Sequence, residues 1–281
     1  MGTYAITGSA SGMGRETAQR LRDGGHNVIG VDIKDADIVA DLSTPHGRNE
    51  AAERVMAAAG GKLDGAVLAA GLGPSPAPDR VRQIAQVNYF GVVEPLLAWR
   101  NALAAAERAK VVVVASNSTT TIPAVPRRAV KALLAHDAGK ALRSVRLFGP
   151  AAPTMMYGAS KIAVSRWVRR HAVLPEWAGS GVRLNALAPG AIMTPLLAEQ
   201  LSDPRQAKAV RSFPVPVGGF GDPGHMADWM CFMLSDAADF LCGSVIFVDG
   251  GTDAYFRSDN WPAALPARHV LGYLRRFRRF R

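Results

Sequence analysis

Four consecutive valines, in the segment KVVVVAS at residues 110–116, constrain the fold of this chain more than any other feature. A strand with one face in water alternates apolar and polar residues. An unbroken β-branched run instead predicts a strand that is covered on both faces, as the strands of a parallel sheet are. The segment therefore predicts an α/β fold in which helices cover both sides of a sheet.

Strand-like and helix-like segments alternate along the chain. TYAIT, NVIGVD, GAVLAAG, GVRLNALAPG and GSVIFVDG have the composition of buried strands, with helical patterns between them. Thr44 and Pro45 predict a helix start, as a cap and a first-turn proline. A long helix is predicted from about Val81 to Ala109, strained by Pro95. This order predicts a single doubly wound Rossmann domain, with a parallel sheet and helices on both faces, at residues 1–256.

The composition is typical of a soluble globular domain. Of 281 residues, 48% are hydrophobic and 20% charged, and no apolar run approaches the ~20 residues that a membrane span needs. The first residues, GTYAITG, have the pattern of a strand and a turn, so we expect no signal peptide. Two cysteines, Cys231 and Cys242, form neither a disulfide framework nor a zinc pattern. We expect buried thiols in a reducing compartment and a cytoplasmic location.

The net charge of +10 is unevenly distributed. Residues 257–281 contain seven Arg and one Asp, a net charge of +6, which leaves +4 for residues 1–256. Most of the basic signal therefore belongs to a C-terminal tail. This distribution argues against nucleic-acid binding by the domain itself.

The glycine-rich segment TGSASGMG, residues 7–14, lies between the first predicted strand and the first predicted helix. Glycines allow a tight turn and a close backbone approach, and the N–H groups of a helix start can bind a pyrophosphate. Asp32 ends the second predicted strand, where a carboxylate accepts both ribose hydroxyls and repels a 2′-phosphate. The alternative for Asp32 is an ordinary turn residue at a strand end.

The segment YGASK places Tyr157 and Lys161 four residues apart, about one helical turn. A phenol has an ordinary pKa near ~10, and a neighbouring ammonium lowers it toward the neutral range. The pair is therefore either a proton-transfer device or two residues that share a helix face. The spacing alone does not decide between these interpretations.

The spacing T-G-x-x-x-G-x-G, taken with Y-x-A-S-K, resembles the short-chain dehydrogenase/reductase family from Thr3 to about Asp253. Further signatures occur in the family's order: Asp41–Leu42, Ala69–Gly71, VNYFG, ASNS, and APG followed by Thr194. The segment at Ala69–Gly71 departs from the family pattern, which begins with Asn at that position. The resemblance implies that Tyr157 and Lys161 act as a catalytic pair.

The family's functional positions fall on named residues of this chain. The resemblance implies four catalytic residues: Asn88, Ser116, Tyr157 and Lys161. It implies NAD as cofactor, held by Gly8, Ser11, Gly12, Met13, Gly14, Asp32, Ile33, Asp41, Leu42, Ala70, Gly71, Tyr157, Lys161, Pro189, Gly190, Ile192 and Thr194.

The residues themselves leave alternatives open. Asn88 could simply interrupt the long helix, and Ser118 and Thr119 compete with Ser116 as the hydroxyl donor. The six histidines have no ligand spacing such as H-E-x-x-H, so we expect no metal.

More narrowly, the chain resembles the bacterial 3α-hydroxysteroid dehydrogenase/carbonyl reductase branch. Ser116 and Tyr157 lie 41 positions apart, and the long insertion at about 120–153 that separates them marks that branch. The resemblance implies an oxidoreductase that interconverts a secondary alcohol and a ketone. Prolines and apolar residues at about 190–222 predict a lid over a bulky apolar substrate. Another cyclic ketone or terpenoid, or a non-catalytic nucleotide sensor, is the alternative.

The insertion also bears on assembly. Five apolar positions at helical spacing, Val130, Leu133, Leu134, Leu142 and Val145, predict that it is helical and covers the face beside the Tyr157 helix. Members of the family are often tetramers that use this face. We therefore expect a homodimer, with the remaining two-fold contact at GSVIFVDGG.

The tail, HVLGYLRRFRRFR from His269, alternates apolar and basic residues at helical spacing. This pattern predicts a basic amphipathic helix. Three interpretations stay open. Its aromatic residues cover the substrate mouth or a neighbouring subunit, it binds an anionic membrane surface, or it contacts nucleic acid.

Overall fold

A seven-stranded parallel sheet forms the centre of the protein, in the order β3-β2-β1-β4-β5-β6-β7. Its strands are β1 (Thr3–Thr7), β2 (Asn27–Asp32), β3 (Ile38–Val39), β4 (Gly65–Leu68), β5 (Lys110–Val114), β6 (Arg183–Pro189) and β7 (Val245–Val248). The winding direction reverses between β1 and β4, which opens a crevice at the carboxyl ends of these strands. The predicted doubly wound α/β fold is confirmed.

The computed structural model describes residues 1–202, 204–260 and 266–279, of which 204–206, 209, 267 and 277–279 are described by their backbone alone. The helices are α1 (Gly12–Asp23), α2 (Pro45–Ala58), α3 (Arg80–Ala85), α4 (Gly91–Ala104), α5 (Ser118–Thr121), α6 (Arg127–Leu134), α7 (Ala138–Val145), α8 (Ala152–His171), α9 (Pro195–Ser202), α10 (Pro204–Arg211), α11 (Pro223–Leu234), α12 (Thr252–Arg257) and α13 (Val270–Arg279). None of the helices in these ranges is long and apolar enough to cross a membrane.

The valine run of β5 explains why the sheet needs two helical layers. Val111 and Val113 belong to one buried cluster, together with residues of α4 and α8. Val112 and Val114 belong to a second cluster, together with residues of α1 and α11. Because successive strand residues point to opposite faces, a run without polar residues requires apolar cover on each side.

The predicted helix start at Thr44 is confirmed. Thr44 Oγ1 accepts a hydrogen bond of 3.0 Å from the N–H of Gly47, and Pro45 occupies the first turn. The long helix predicted from 81 to 109 differs from the expectation. A π-helical turn at Gln86–Phe90 separates α3 from α4, and α4 ends at Ala104. The wide turn directly precedes the helix that contains Pro95, a residue that lacks a backbone donor.

The insertion at 120–153 is helical, as predicted, but it forms two main helices. The chain breaks between α6 and α7, where His136 adopts a φ of 56°. Asp137 then caps α7 by accepting a 2.8 Å hydrogen bond from the N–H of Lys140. Val130, Leu133 and Val145 are buried, and α6 packs against α8.

The segment at 190–222 is closed at its base by main-chain hydrogen bonds. Met193 N donates to Gly221 O at 2.8 Å, and Gly221 N donates to Ala191 O at 2.9 Å. Between these ends lie α9 and α10. Among the apolar side chains at 190–222, Ile192 and Leu197 are buried, with exposures of 6% and 8%.

The predicted amphipathic helix of the tail corresponds to α13. Its described apolar side chains are exposed in the single chain: Leu271 by 73%, Tyr273 by 54% and Leu274 by 44%. These three residues therefore do not cover a substrate mouth in their own chain. Trp261 and Phe280 lie outside the described residues.

Candidate active site

The glycine-rich turn between β1 and α1 has a backbone that side chains would obstruct. Gly8 and Gly12 adopt φ values of 73° and 53°, in the left-handed region that favours glycine. A Cβ at Gly14 would lie 2.2 Å from the carbonyl oxygen of Gly8. Ser11 precedes the helix without capping it through its side chain, so the N–H groups of the first turn of α1 are left for a ligand. This cradle fits a dinucleotide pyrophosphate.

A cavity of about 340 Å³ opens beside this turn. Twelve of the predicted cofactor-binding residues line it: Gly8, Ser11, Gly12, Met13, Gly14, Asp32, Ile33, Asp41, Leu42, Ala70, Gly71 and Thr194. The Thr194 side chain lies over the turn, because its Cγ2 is 3.2 Å from the position of a Cβ at Gly12. The cavity thus brings together residues from the ends of several strands.

Five predicted cofactor residues do not line the cavity: Tyr157, Lys161, Pro189, Gly190 and Ile192. For the last three the reason is packing. Pro189 accepts a 2.9 Å hydrogen bond from Asn117 N, and a Cβ at Gly190 would lie 2.7 Å from Asp249 Cα. Ile192 belongs to the core beside α11. Any role of Pro189, Gly190 and Ile192 in cofactor binding therefore rests on their main-chain atoms.

Nine further residues line the cavity but are not among the predicted cofactor-binding residues: Ala40, Ser43, Ala69, Leu72, Arg80, Gln83, Val87, Pro195 and Leu196. Most of them are direct neighbours of predicted residues. Arg80, Gln83 and Val87 follow a helical spacing of three and four residues, and this periodicity could have identified them. The Arg80 Nε is buried without a hydrogen-bond partner among the described residues.

Asp32 lies at the carboxyl end of β2 with its carboxylate in the cavity. Its Oδ2 accepts from Ala10 N at 2.9 Å, and its Oδ1 accepts from Ile33 N at 2.7 Å. These two bonds fix the side chain and leave further lone pairs for ribose hydroxyls. Two cations that lie close to this site in the sequence, Arg15 and Lys34, do not line the cavity.

The Ser116 hydroxyl, which follows the carboxyl end of β5, lies near enough to the Tyr157 phenol of α8 to influence its pKa. The competing hydroxyls are placed differently. Thr119 Oγ1 donates to Ser116 O at 2.9 Å, and Ser118 Oγ is buried without a partner among the described residues. This geometry favours Ser116 as the hydroxyl that acts with Tyr157.

Lys161 is buried one helical turn after Tyr157, and its Nζ donates to Val114 O at 2.7 Å. Burial lowers the pKa of Lys161 to about 8. Burial raises the pKa of the Tyr157 phenol above its ordinary value, and the Ser116 hydroxyl acts in the opposite direction. The expectation that Lys161 lowers the pKa of Tyr157 is therefore wrong for the chain by itself, because desolvation dominates.

Asn88 lies in the π-helical turn and is fully buried. Its amide Nδ2 donates to Leu72 O at 2.9 Å, and its Oδ1 accepts from Leu72 N at 2.8 Å. Its Oδ1 and the Nζ of Lys161 lie 3.5 and 3.7 Å from the position of a Cβ at Gly71. The Asn88 side chain thus fixes the loop after β4 and lies on the same side of Gly71 as Lys161.

Arg48, which sequence reasoning also missed, supports both ends of the cavity. Its buried guanidinium donates to Leu42 O at 3.1 Å and to Gln86 Oε1 at 3.0 Å. It also pairs with Glu94 at 2.5 Å. One side chain therefore holds the loop that contains Asp41 against the π-helical turn that contains Asn88.

No cluster of three or more potential metal ligands (His, Cys, Asp or Glu) occurs within the described ranges.

Two protein-family models match adjacent parts of the chain. The family model described as short chain dehydrogenase matches residues 3–126, and the one described as Enoyl-(Acyl carrier protein) reductase matches residues 125–253. The chain is 37% identical to the 3-alpha-hydroxysteroid dehydrogenase/carbonyl reductase of Comamonas testosteroni, over 92% of this chain and 98% of that protein. It is 30% identical to the cis-4-hydroxycyclohexanecarboxylate dehydrogenase of Sinomonas cyclohexanicum, over 90% of this chain and 88% of that protein.

The fold is also similar to a solved structure. The 3-alpha-hydroxysteroid dehydrogenase from Pseudomonas sp. B-0831, complexed with NADH, superimposes with a TM-score of 0.86 and 42% identity. The match covers 92% of this chain and 100% of that chain. From its motifs, its cavity and these relatives, the chain is an oxidoreductase that belongs to the short-chain dehydrogenase/reductase family.

Proposed function

We propose that the protein is an NAD-dependent alcohol dehydrogenase/carbonyl reductase that acts on a bulky apolar substrate of the 3α-hydroxysteroid/ketosteroid type. The observation that carries this proposal is the placement of the Ser116 hydroxyl near the Tyr157 phenol, after the carboxyl end of β5, with Lys161 buried one helical turn after Tyr157. The hydroxysteroid relatives from Comamonas and Pseudomonas support the substrate class. A screen of steroid and cyclic alcohols with both nicotinamide cofactors, followed by nicotinamide absorbance, tests it.

In ketone reduction the nicotinamide supplies hydride to carbon, and the protein must supply a proton to oxygen. Tyr157 is the proton donor, and its raised pKa keeps the phenol protonated at neutral pH. Ser116 donates a hydrogen bond to the same substrate oxygen as negative charge develops there. Oxidation needs the ionised phenol, so we expect the oxidation rate to rise with pH. Lys161 would bind the nicotinamide ribose, and Asn88 would hold a water beside Lys161.

Two other functions remain as outcomes of that screen. Similarity to the Sinomonas cyclohexanecarboxylate enzyme supports a monocyclic substrate as the alternative, and a terpenoid ketone belongs to the same alternative. A non-catalytic nucleotide sensor would bind cofactor without turnover, but it would not need all four of Asn88, Ser116, Tyr157 and Lys161. Both cysteines are free thiols, which fits the proposed cytoplasmic location.

We expect kcat/KM with NADH to exceed that with NADPH by at least about tenfold. Asp32 is fixed by two main-chain hydrogen bonds in the cavity, so its negative charge would face a 2′-phosphate. Asp32→Asn should bring the two kcat/KM values closer together, mainly by raising kcat/KM with NADPH. Equal efficiency of the wild type with both cofactors would contradict the assignment. Arg80→Gln would then show whether the Arg80 cation compensates for Asp32.

We expect polycyclic ketones to be reduced with a kcat/KM at least about tenfold higher than that for short aliphatic ketones. Leu196 and Met193 are 38% and 44% exposed at the start of the proposed lid, where they can contact an apolar ring system. Leu196→Ala should lower kcat/KM for polycyclic ketones by about tenfold, because a contacting leucine contributes about 1–3 kcal/mol. Val217→Ala, on a residue 80% exposed in the same segment, is the control. Activity confined to short aliphatic alcohols would reject the proposal.

The assembly proposed for this enzyme is a homodimer. α6 packs on α8 within the chain, so part of the α8 face is covered by the insertion. At one end of the described sheet, β7 pairs with β6 and is the last strand. Two aromatic side chains of α11, Trp229 and Phe232, are 40% and 47% exposed. A terminal strand and exposed aromatic side chains are both suited to a two-fold contact.

We expect light scattering to give the mass of a dimer for the wild type and of a monomer for the double variant Trp229→Glu/Phe232→Glu. Each chain of the variant contributes two carboxylates, so four would lie at the desolvated two-fold contact and repel one another. Leu97→Glu, on α4 and 44% exposed, is the matched control and should leave the dimer intact. A tetramer that the Leu97 variant dissociates would contradict this assembly.

A further inference from the structure

Two segments account for the net positive charge of this protein. The insertion at 120–153 contains six Lys or Arg residues and one Asp, a net charge of +5. The tail at 257–281 contributes +6. Together they exceed the +10 of the whole chain by one, so the remaining residues have a net charge of −1. The dehydrogenase body is therefore nearly neutral, and the proposed NAD chemistry does not account for the charge.

The cations of the insertion point to solvent. All six are exposed and none forms an ion pair within the described part of the chain: Arg127, Arg128, Lys131, Lys140, Arg143 and Arg146. The chain then continues into Leu147 and Phe148, which are 94% and 37% exposed. Exposed aliphatic and aromatic residues directly after a row of free cations form a surface that is both basic and apolar.

The tail repeats this combination. In α13 the apolar residues Leu271, Tyr273 and Leu274 are exposed, and Arg275 and Arg276 follow them directly. The sequence continues with three more arginines at 278, 279 and 281.

The two basic segments leave the fold side by side. The insertion begins at α5 and the tail follows α12, and these two helices are in contact. The Thr120 hydroxyl is within hydrogen-bonding reach of the Asp253 carboxylate. Arg257, the first tail residue, donates to both oxygens of that carboxylate at 2.8 and 3.1 Å. Asp253 therefore ties the start of the insertion to the start of the tail.

We propose that the insertion and the tail together bind the surface of an anionic lipid bilayer. Free lysines and arginines provide attraction to anionic headgroups, and the exposed leucines and aromatic residues enter the interface beneath them. Exposed leucines favour a bilayer over nucleic acid, because phosphate and base contacts give an aliphatic side chain no comparable apolar partner. An apolar substrate dissolves in the same bilayer, so binding there would bring the enzyme to its substrate.

Co-sedimentation of the full-length protein with vesicles tests this proposal. We expect binding to phosphatidylcholine vesicles containing about one third phosphatidylglycerol and none to pure phosphatidylcholine vesicles, because the attraction is electrostatic. Binding should fall at about 0.5 M NaCl, where exposed charges are screened. Arg127→Gln/Lys131→Gln should weaken binding about fivefold per removed cation. Arg54→Gln/Lys62→Gln removes two exposed cations from the dehydrogenase body and should change binding little.

Two further variants separate the lipid from other polyanions. Leu271→Ser/Leu274→Ser should weaken vesicle binding at least about tenfold while binding to a short RNA duplex is unchanged, because only a bilayer accepts aliphatic side chains. A chain that ends at Asn260 should lose most vesicle binding and retain its turnover in solution. Failure of the wild type to sediment with anionic vesicles at low salt overturns the proposal. The proposal is also overturned if Arg54→Gln/Lys62→Gln weakens vesicle binding as much as Arg127→Gln/Lys131→Gln does. RNA binding without vesicle binding overturns it as well. None of these results bears on the dehydrogenase assignment, which the solution assay measures separately.

Discussion

Replacing Tyr157 with phenylalanine should lower kcat by at least about a hundredfold while cofactor binding stays unchanged. The substitution removes only the phenol oxygen, and a positioned proton donor is typically worth about 10²–10⁴ in rate. Steady-state turnover and a fluorescence titration with NADH measure the two quantities separately.

Tyr89→Phe is the matched control for this experiment. Tyr89 is fully buried in the π-helical turn, and its hydroxyl has no hydrogen-bond partner among the described residues. Burial raises its pKa to about 12, so the phenol stays protonated near neutral pH. Its removal should leave kcat within about twofold and raise the free energy of unfolding by about 1 kcal/mol, since an unpaired buried hydroxyl is unfavourable. A Tyr157→Phe enzyme with a tenth of the wild-type rate would disprove the assignment of the proton donor.

Lys161→Met should abolish measurable turnover and yet make the protein more stable. The pKa of Lys161 is about 8 in the folded chain and 10.5 ordinarily, so the buried ammonium destabilises the fold by about 3 kcal/mol at neutral pH. Methionine removes this penalty but leaves Val114 O without its donor, at a cost of about 1 kcal/mol. The net expectation is a gain of about 2 kcal/mol at pH 7, measured by urea unfolding.

The pH dependence of that gain identifies its cause. Between pH 8 and pH 10.5 the unfolded wild-type chain binds a proton that the folded chain does not, so wild-type stability rises across this window. The advantage of Lys161→Met should therefore shrink as the pH rises from about 8 and be lost near 10.5. Lys110→Met is the control, because Lys110 is buried but paired with Asp239 at 2.8 Å. That variant should not gain stability. A constant advantage of Lys161→Met at every pH would mean that packing, not charge, is responsible.

The parts of the structure that follow from local chemistry were predictable from the sequence. Four valines without a polar residue required cover on both faces, and the turn at Gly8 to Gly14 required residues without a Cβ. The position of Asp32 follows from the order of strands, because all carboxyl ends of a parallel sheet meet at one edge. Ser116 and the Tyr157–Lys161 pair were predicted from the resemblance to the short-chain dehydrogenase/reductase family.

The parts that depend on distant contacts were not predictable. A π-helical turn uses the same residues as an α-helical turn, so nothing in QVNYF marked the widening at Asn88. The pKa of Tyr157 depends on how deeply the phenol is buried, which the spacing to Lys161 does not contain. Nothing in the sequence distinguishes the buried Ile192 and Leu197 from the exposed apolar residues of the same segment.

The main-chain hydrogen bonds between Met193 and Gly221 have a consequence for how such an enzyme can change its specificity. They close the base of the proposed lid at 190–222 through main-chain atoms. The entropic cost of closing such a loop rises only weakly with its length, by about 0.6 kcal/mol for each doubling. The 27 residues between these ends can therefore be replaced as one cassette, by exchange with a related enzyme, while Ser116, Tyr157 and Lys161 keep their positions.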